Sequence, residues 1–369
     1  MTSDLLDVAP VGASEYAEIE DLCRHVIGTH LSTLVFPGEA TVALEAAARG
    51  LGRPGGRALN LVTGPYGATF GDWLAEAGSA VENLTTPFDQ AVTADQVRSA
   101  LERLGPVDVV SLVHAEAATG VVNDLAAISG VAKRAGALVV VDAVASIGAE
   151  PVAIDAWDLD LVVLSAQKAL AGPAGVSIVS LSSACWGALA GHPAPWRGSA
   201  LSLLDWRERW LAPGRAALPV IPAHLETRAL GAAMGRVASE GLGKVVARHR
   251  AAAAATRAAL VPLGLELWAR QPAEAASVAT LVRAPAQGAA ALVQAALSAW
   301  SDGVPPVTVA PGSLAPQAVR VNHTGRRAAL APVWASVGAL AGGLQRLGYA
   351  VDLGAALTAA GQAWEEALA

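Results

Sequence analysis

LVVVDAVASIGAEPVAIDAWDLDLVVLSAQKALAGPAGVS, residues 138–177, contains two apolar strand-like runs, each ending in a charged side chain. The first, residues 137–141, leads into Asp142; the second, residues 159–167, leads into Lys168 and a turn rich in Gly and Pro, Ala171-Gly172-Pro173-Ala174-Gly175. The chain has three lysines, and Lys133 and Lys244 lie in polar-flanked helical stretches that read as solvent-facing. Lys168 alone sits at the mouth of a buried strand, where desolvation turns an amine into a nucleophile and base. A carboxylate and a lone lysine at neighbouring strand ends suit pyridoxal phosphate (PLP), which needs a Schiff-base lysine and an acid facing its ring nitrogen.

Outward from this stretch, strands alternate with helices. Strands are expected at 31–36, 58–62, 107–113, around Val139 and Val162, and at 176–181. Helices are expected from near Glu39, over 67–78 and over 124–135. Near-continuous β-branched runs predict strands covered on both faces, hence an α/β fold with a mostly parallel sheet and ligands at the carboxyl ends of its strands. His114, Asp142 and Lys168 fall at those ends. After 181 the pattern loosens into a segment with Trp, Pro and Gly up to about residue 222. A long helical stretch then runs over 223–260, with a break at Glu240-Gly241-Leu242-Gly243. Short strands at 278–282, 307–309 and 318–321, with two terminal helices, predict a smaller α+β domain.

The chain has 369 residues, a net charge of −7 and 53% hydrophobic residues, much of that alanine. It has no basic run of the kind that binds nucleic acid and no apolar stretch of membrane-spanning length. Two cysteines, Cys23 and Cys185, exclude a disulfide scaffold or a Cys-rich zinc site, and the start MTSDLLDVAP lacks signal-peptide character. A cytoplasmic location is expected. Gly50-Leu51-Gly52-Arg53-Pro54-Gly55 fits G-x-G-x-x-G but follows a helix and contains proline, so it reads as a loop. Scattered histidines show no metal-ligand spacing.

Four stretches in order, FPGEATVALEAA (36–47), VSLVHAEAATGVVND (110–124), residues 138–177 and QAVRVNHTG (317–325), resemble the class V aminotransferases of PLP fold type I, the group of alanine–glyoxylate and serine–pyruvate aminotransferases. The resemblance implies a large domain over 1–240 with a seven-stranded, mostly parallel sheet, a small C-terminal domain over 241–369, PLP as cofactor and a homodimer. Lys168 matches the Schiff-base lysine and Asp142 the partner of the ring nitrogen. Val144 and Tyr66 match the residues packed on the two ring faces. Thr41 and Gln167 match phosphate contacts, with Gly38 opening the phosphate loop, and Arg320 matches the clamp on the substrate α-carboxylate. His114 reads as structural.

The chain departs from that pattern. Glu39 and Ala40 replace the small Ser and Gly of the phosphate loop: a carboxylate beside a phosphate is unfavourable, a lost glycine restricts backbone approach, and an Asx- or Ser-type cap is absent. Ala117 replaces a hydroxyl residue. Gly214-Arg215-Ala216-Ala217 stands where a Tyr-x-x-Thr reaches the neighbouring subunit's phosphate, with Arg215 as the candidate substitute. The N-terminal arm is short and lacks Pro-Gly-Pro-Thr. The implied activity is transfer of an amino group from a small L-amino acid to a 2-oxo acid such as glyoxylate or pyruvate. The same constellation serves a β-eliminating lyase on Ser- or Cys-like substrates, and a catalytically weak binding protein is the third alternative.

Overall fold

The computed structural model describes residues 8–298, 300 and 303–369. Its main sheet contains β1 (Ser32–Pro37), β2 (Arg57–Val62), β3 (Ala80–Thr85) and β4 (Val109–Val113). A short hairpin follows, β5 (Ala115–Glu116) and β6 (Val121–Val122), and then come β7 (Leu138–Asp142), β8 (Leu161–Ser165) and β9 (Val176–Leu181). The seven strands of the main sheet are ordered β1-β9-β8-β7-β4-β2-β3. The strands from β3 to β8 in that order pair in parallel, whereas β9 is antiparallel to both neighbours. Strands β4, β8 and β9 are buried throughout, which explains their unbroken Val, Leu and Ile runs. The edge strand β3, AVENLT, is largely exposed and polar, so its apolar pattern is too weak to stand out from the sequence.

Crossover helices cover the sheet, among them α2 (Ala40–Leu51) and α3 (Pro65–Glu76), while α1 (Ala13–Ile27) packs beside β1. The expected helical stretch after residue 222 is two helices, His224–Glu240 and Leu242–Leu260, broken at Gly241 with φ +88°. The second helix starts in the main core at Val245 and ends in a separate apolar cluster with Ala252, Ala255 and Leu260. That second cluster lies against β10 (Thr280–Arg283), β11 (Val307–Val309) and β12 (Ala318–Val321), an antiparallel sheet ordered β10-β12-β11.

The segment after 181 is more ordered than its composition suggested. It forms helices Ser183–Ala190 and Leu203–Trp206 and a π-helical turn, Arg207–Leu211. Trp206 and Trp210 are fully buried beside Tyr16 and Phe36, with ring centroids 5.6–6.3 Å apart. Glu20, also fully buried, accepts from Val35 N at 3.0 Å and from Trp210 Nε1 at 2.8 Å. One carboxylate thereby ties α1, β1 and the π turn together, satisfying groups that would otherwise be costly to bury. Lys133 also departs from expectation: its Nζ lies 2.7 Å from the buried Asp160 carboxylate, so it neutralises an interior charge. Lys244 is exposed as expected.

Candidate active site

Strand ends and helix starts bring the predicted residues together. Val113 pairs with Asp142 and Asp142 with Val163, so β4 and β7 end level with one another and β8 runs two residues further. Glu39, Thr41, Tyr66, Asp142, Val144 and Lys168 line a cavity of ≈ 180 Å³ there, with Ala40 and Leu44 completing its wall.

Lys168 stands on a tight turn. Its carbonyl accepts from Ala171 N at 3.1 Å, and Ala171 holds φ +53°, a left-handed conformation unusual for alanine. Burial pulls the Lys168 amine below the ordinary lysine range, against the opposing pull of Asp142, Glu116 and Glu39. Its Nζ lies 5.6 Å from the centroid of the Tyr66 ring. Burial also raises the Asp142 carboxyl, which the Lys168 charge and the Val144 N–H counteract; that N–H donates to Asp142 Oδ1 at 2.9 Å.

Tyr66 sits in the first turn of α3, after Gly64 and Pro65, and stays 43% exposed over the cavity. Glu116, which the sequence reading missed, packs beneath it. A Cβ on Gly64 would come 2.3 Å from Glu116 Cγ, so only glycine fits at that position. Glu116 is fully buried; its Oε1 accepts from Ala118 N at 3.2 Å, its Oε2 has no partner, and burial pushes its carboxyl up to about 7. Nothing in its local sequence distinguished it from a hairpin surface acid.

Arg320, on β12, is half-buried; its Nε is buried without a partner, and burial lowers its pKa. Its charge acts on both Lys168 and Tyr66. An arginine with a buried, unpaired Nε beside a reactive amine suits a carboxylate ligand, which its planar fork binds through two hydrogen bonds. His114 stacks edge-on against Trp157 at 6.2 Å, and burial brings it down to about 4, so it stays neutral. Thr119 donates to Thr63 O at 3.1 Å within the fold.

Two of the departures from the family pattern take definite form in the structure. At the head of α2, Gly38 takes φ +100° and donates to Gly175 O at 3.1 Å, delivering Glu39 as the N-cap of the helix. The side-chain cap is therefore a glutamate, in place of the Asx- or Ser-type residue that is absent here. Its Oε2 accepts from Thr41 N at 2.8 Å and from Thr41 Oγ1 at 2.6 Å, and its Oε1 accepts from Gln167 Nε2 at 3.0 Å. Arg215 lies 2.9 Å from Asp21 and 3.6 Å from Glu20, so its guanidinium is committed to α1 of its own chain.

These observations test the fit of PLP. The ring end fits: an acid for the pyridine nitrogen, Val144 and Tyr66 for the faces, and a desolvated amine. The phosphate end does not. Thr41 and Gln167 already serve a carboxylate, and a phosphate about 4 Å from Glu39 would meet roughly 4 kcal/mol of repulsion per unit charge. Among the described residues no group of His, Cys, Asp and Glu could hold a metal, and no helix is long and apolar enough to cross a membrane.

The model of the family "Aminotransferase class-V" matches residues 8–281. The chain is 29% identical over 357 residues to pyridoxamine–pyruvate transaminase of Mesorhizobium japonicum, covering 96% of this chain and 90% of that protein. Among solved structures, pyridoxamine–pyruvate aminotransferase from Mesorhizobium loti superposes with a TM-score of 0.89 at 27% identity, over 96% of this chain and 90% of that one. Alanine–glyoxylate aminotransferase from Nostoc superposes with a TM-score of 0.82 at 26% identity, over 92% and 91%. The fold is that of the PLP fold type I enzymes, and the chain belongs to the class-V aminotransferases, a family of PLP-dependent transferases.

Proposed function

We propose that this member transfers an amino group between a B6 vitamer lacking the 5′-phosphate and a small 2-oxo acid: pyridoxamine and an oxo acid such as pyruvate give pyridoxal and an L-amino acid. The observation that carries the reading is the Glu39 carboxylate, which holds the donors of Thr41 and Gln167 that a phosphate would need. It agrees with the relatives named for pyridoxamine and pyruvate, which align over nearly the whole chain.

When bound, the pyridine ring supplies an electron sink that lets an adjacent carbon release its proton. The chain supplies orientation and proton movement. Asp142 keeps the ring nitrogen protonated, and Val144 and Tyr66 hold the ring flat between them. Arg320 clamps the oxo acid's carboxylate and so aims its α-carbon toward Lys168. Lys168, as free amine, takes the proton from the ring's aminomethyl carbon and returns it to the α-carbon of the product. Arg320 is the one cation besides Lys168 in this constellation, which favours a monocarboxylate of pyruvate's size. Glu39 offers an acceptor to the vitamer's 5′-hydroxymethyl group and repels a phosphate. A homodimer, resting on the family resemblance, is part of the same reading, as is the cytoplasmic location expected from composition.

The test compares turnover of two mixtures by the purified protein: pyridoxamine with pyruvate, and PLP with L-alanine and glyoxylate. Formation of pyridoxal and L-alanine from the first, with no PLP retained through gel filtration, supports the proposal. Stoichiometric retention of PLP with turnover of the second mixture alone overturns it and returns the chain to the phosphate-dependent chemistry common in its family.

A further inference from the structure

The carboxylate clamp and the reactive amine stand on different sheets, so something must set the distance between them. The chain after β12 does this in four residues, 322–325. Beyond Arg320 it turns through Asn322, His323 and Thr324 to Gly325, which takes φ +63° and opens a short 3-10 turn. Gly325 lies directly on the Lys168 turn: a Cβ there would come 3.0 Å from the Lys168 carbonyl oxygen and 3.4 Å from Ala171 Cβ. Both backbone groups of Gly325 are held by helix Leu242–Leu260. Its N–H donates to His249 Nε2 at 3.0 Å, and its carbonyl accepts from Arg248 Nη1 at 2.6 Å.

His249 is fully buried, and its other ring nitrogen lies 2.7 Å from Val245 O. A carbonyl can only accept, so Nδ1 carries the proton and Nε2 is left as the acceptor that Gly325 needs. Burial, which brings this imidazole down to about 4, keeps it in that neutral form.

We propose that His249 and Gly325 are positioning residues: a latched strut from Arg320 to the Lys168 turn that sets where the oxo acid's α-carbon lies relative to the amine. The inference rests on the transamination reading above. Without the latch the Gly325 N–H is buried and unpaired, the turn shifts, and Lys168 and Arg320 lose their common frame. Reactions governed by orientation are sensitive to such shifts.

Three proteins test it: wild type, His249→Leu, which removes the acceptor, and His249→Gln, whose amide oxygen can accept from Gly325. Two readouts are used, steady-state turnover of pyridoxamine with pyruvate, and the pH midpoint of Lys168 acylation by acetic anhydride, followed by peptide mass spectrometry without any vitamer. The expected result for His249→Leu is a fall in kcat/KM for pyruvate of about tenfold or more with pyridoxal binding kept within about twofold. Its Lys168 acylation midpoint also shifts, and His249→Gln recovers most of both. A His249→Leu protein that melts earlier but keeps wild-type kcat/KM and acylation midpoint overturns the proposal and leaves His249 purely structural. If wild type turns over no vitamer, the parent reading fails, while the acylation midpoints still decide whether the strut acts on Lys168.

Discussion

Gln167 Nε2 donates to Glu39 Oε1 at 3.0 Å, joining the residue beside Lys168 to the N-cap of α2. The chain thereby supplies its own anion to a helix N-terminus, which favours negative charge whatever its source. Glu39→Gly removes that anion and frees the donors of Thr41 and Gln167. The expected outcome is PLP binding strengthened by at least about tenfold, since one like-charge contact of roughly 4 kcal/mol is relieved and only part of it need be recovered. Turnover of unphosphorylated pyridoxamine falls in the same variant. Absorbance titrations with pyridoxal and with PLP measure both arms; an unchanged preference would mean Glu39 does not select the vitamer.

Lys168 is needed as free amine, and burial lowers its pKa. Lowering pH protonates it and removes the base, so kcat/KM rises with pH through a midpoint below the ordinary lysine value of about 10.4. Lys168→Ala removes the proton carrier, and loss of a positioned base costs about 10²- to 10⁴-fold in rate. Rate profiles of wild type and Lys168→Ala test this. A midpoint at or above the free-lysine value would contradict a desolvated amine.

The parts of the site carried by strand ends were legible because burial on both faces writes itself as apolar runs, and charges at their ends stand out. Asp142 and Lys168 are of this kind, and the strands 307–309 and 318–321 were legible as short apolar runs, whereas Arg320 was singled out only by the family resemblance. Features made by contacts between distant segments were not legible. Glu39 was visible as a departure, but its role as cap depends on Gln167, 128 residues away. Glu116 depends on the bare face of Gly64, and Trp210 on the buried Glu20 of α1. The structure puts Lys168 on the cavity wall, but Lys133 does not face solvent as expected, because the buried Asp160 just ahead of β8 needs a counter-charge.

Arg320 is half-buried and its Nε is buried without a protein partner, so a carboxylate ligand would supply the acceptor that the fold does not. Arg320→Lys keeps the charge and loses the fork. Hydrogen bonds to charged groups contribute about 1.5–3 kcal/mol, so KM for pyruvate should rise roughly ten- to a hundredfold in Arg320→Lys, with pyridoxal binding nearly unchanged. Kinetics with pyruvate varied at saturating pyridoxamine separate the two effects. A raised pyridoxal dissociation constant with unaltered pyruvate KM would place Arg320 on the ring instead.

Glu20 gives a prediction about stability. Burial lifts its carboxyl from 4.5 to about 7, so between those values the folded chain holds a proton that the unfolded chain has released. Its contribution is therefore full below the unfolded value and is lost as pH rises through about 7, by at most about 3 kcal/mol at roughly 1.4 kcal/mol per pH unit. Glu20→Gln cannot ionise, so its melting temperature should fall less than that of wild type between about pH 5 and about pH 8. Glu116 shifts in the same direction and remains in both proteins, so the difference between the two slopes isolates Glu20. Glu20→Ala should be destabilised at either pH by roughly 2–4 kcal/mol, because Val35 N and Trp210 Nε1 both lose their acceptor in the interior. Thermal melts of the three proteins at the two pH values check this. Parallel pH slopes for wild type and Glu20→Gln would mean that Glu20 is ionised in the fold, held so by Arg215 at 3.6 Å.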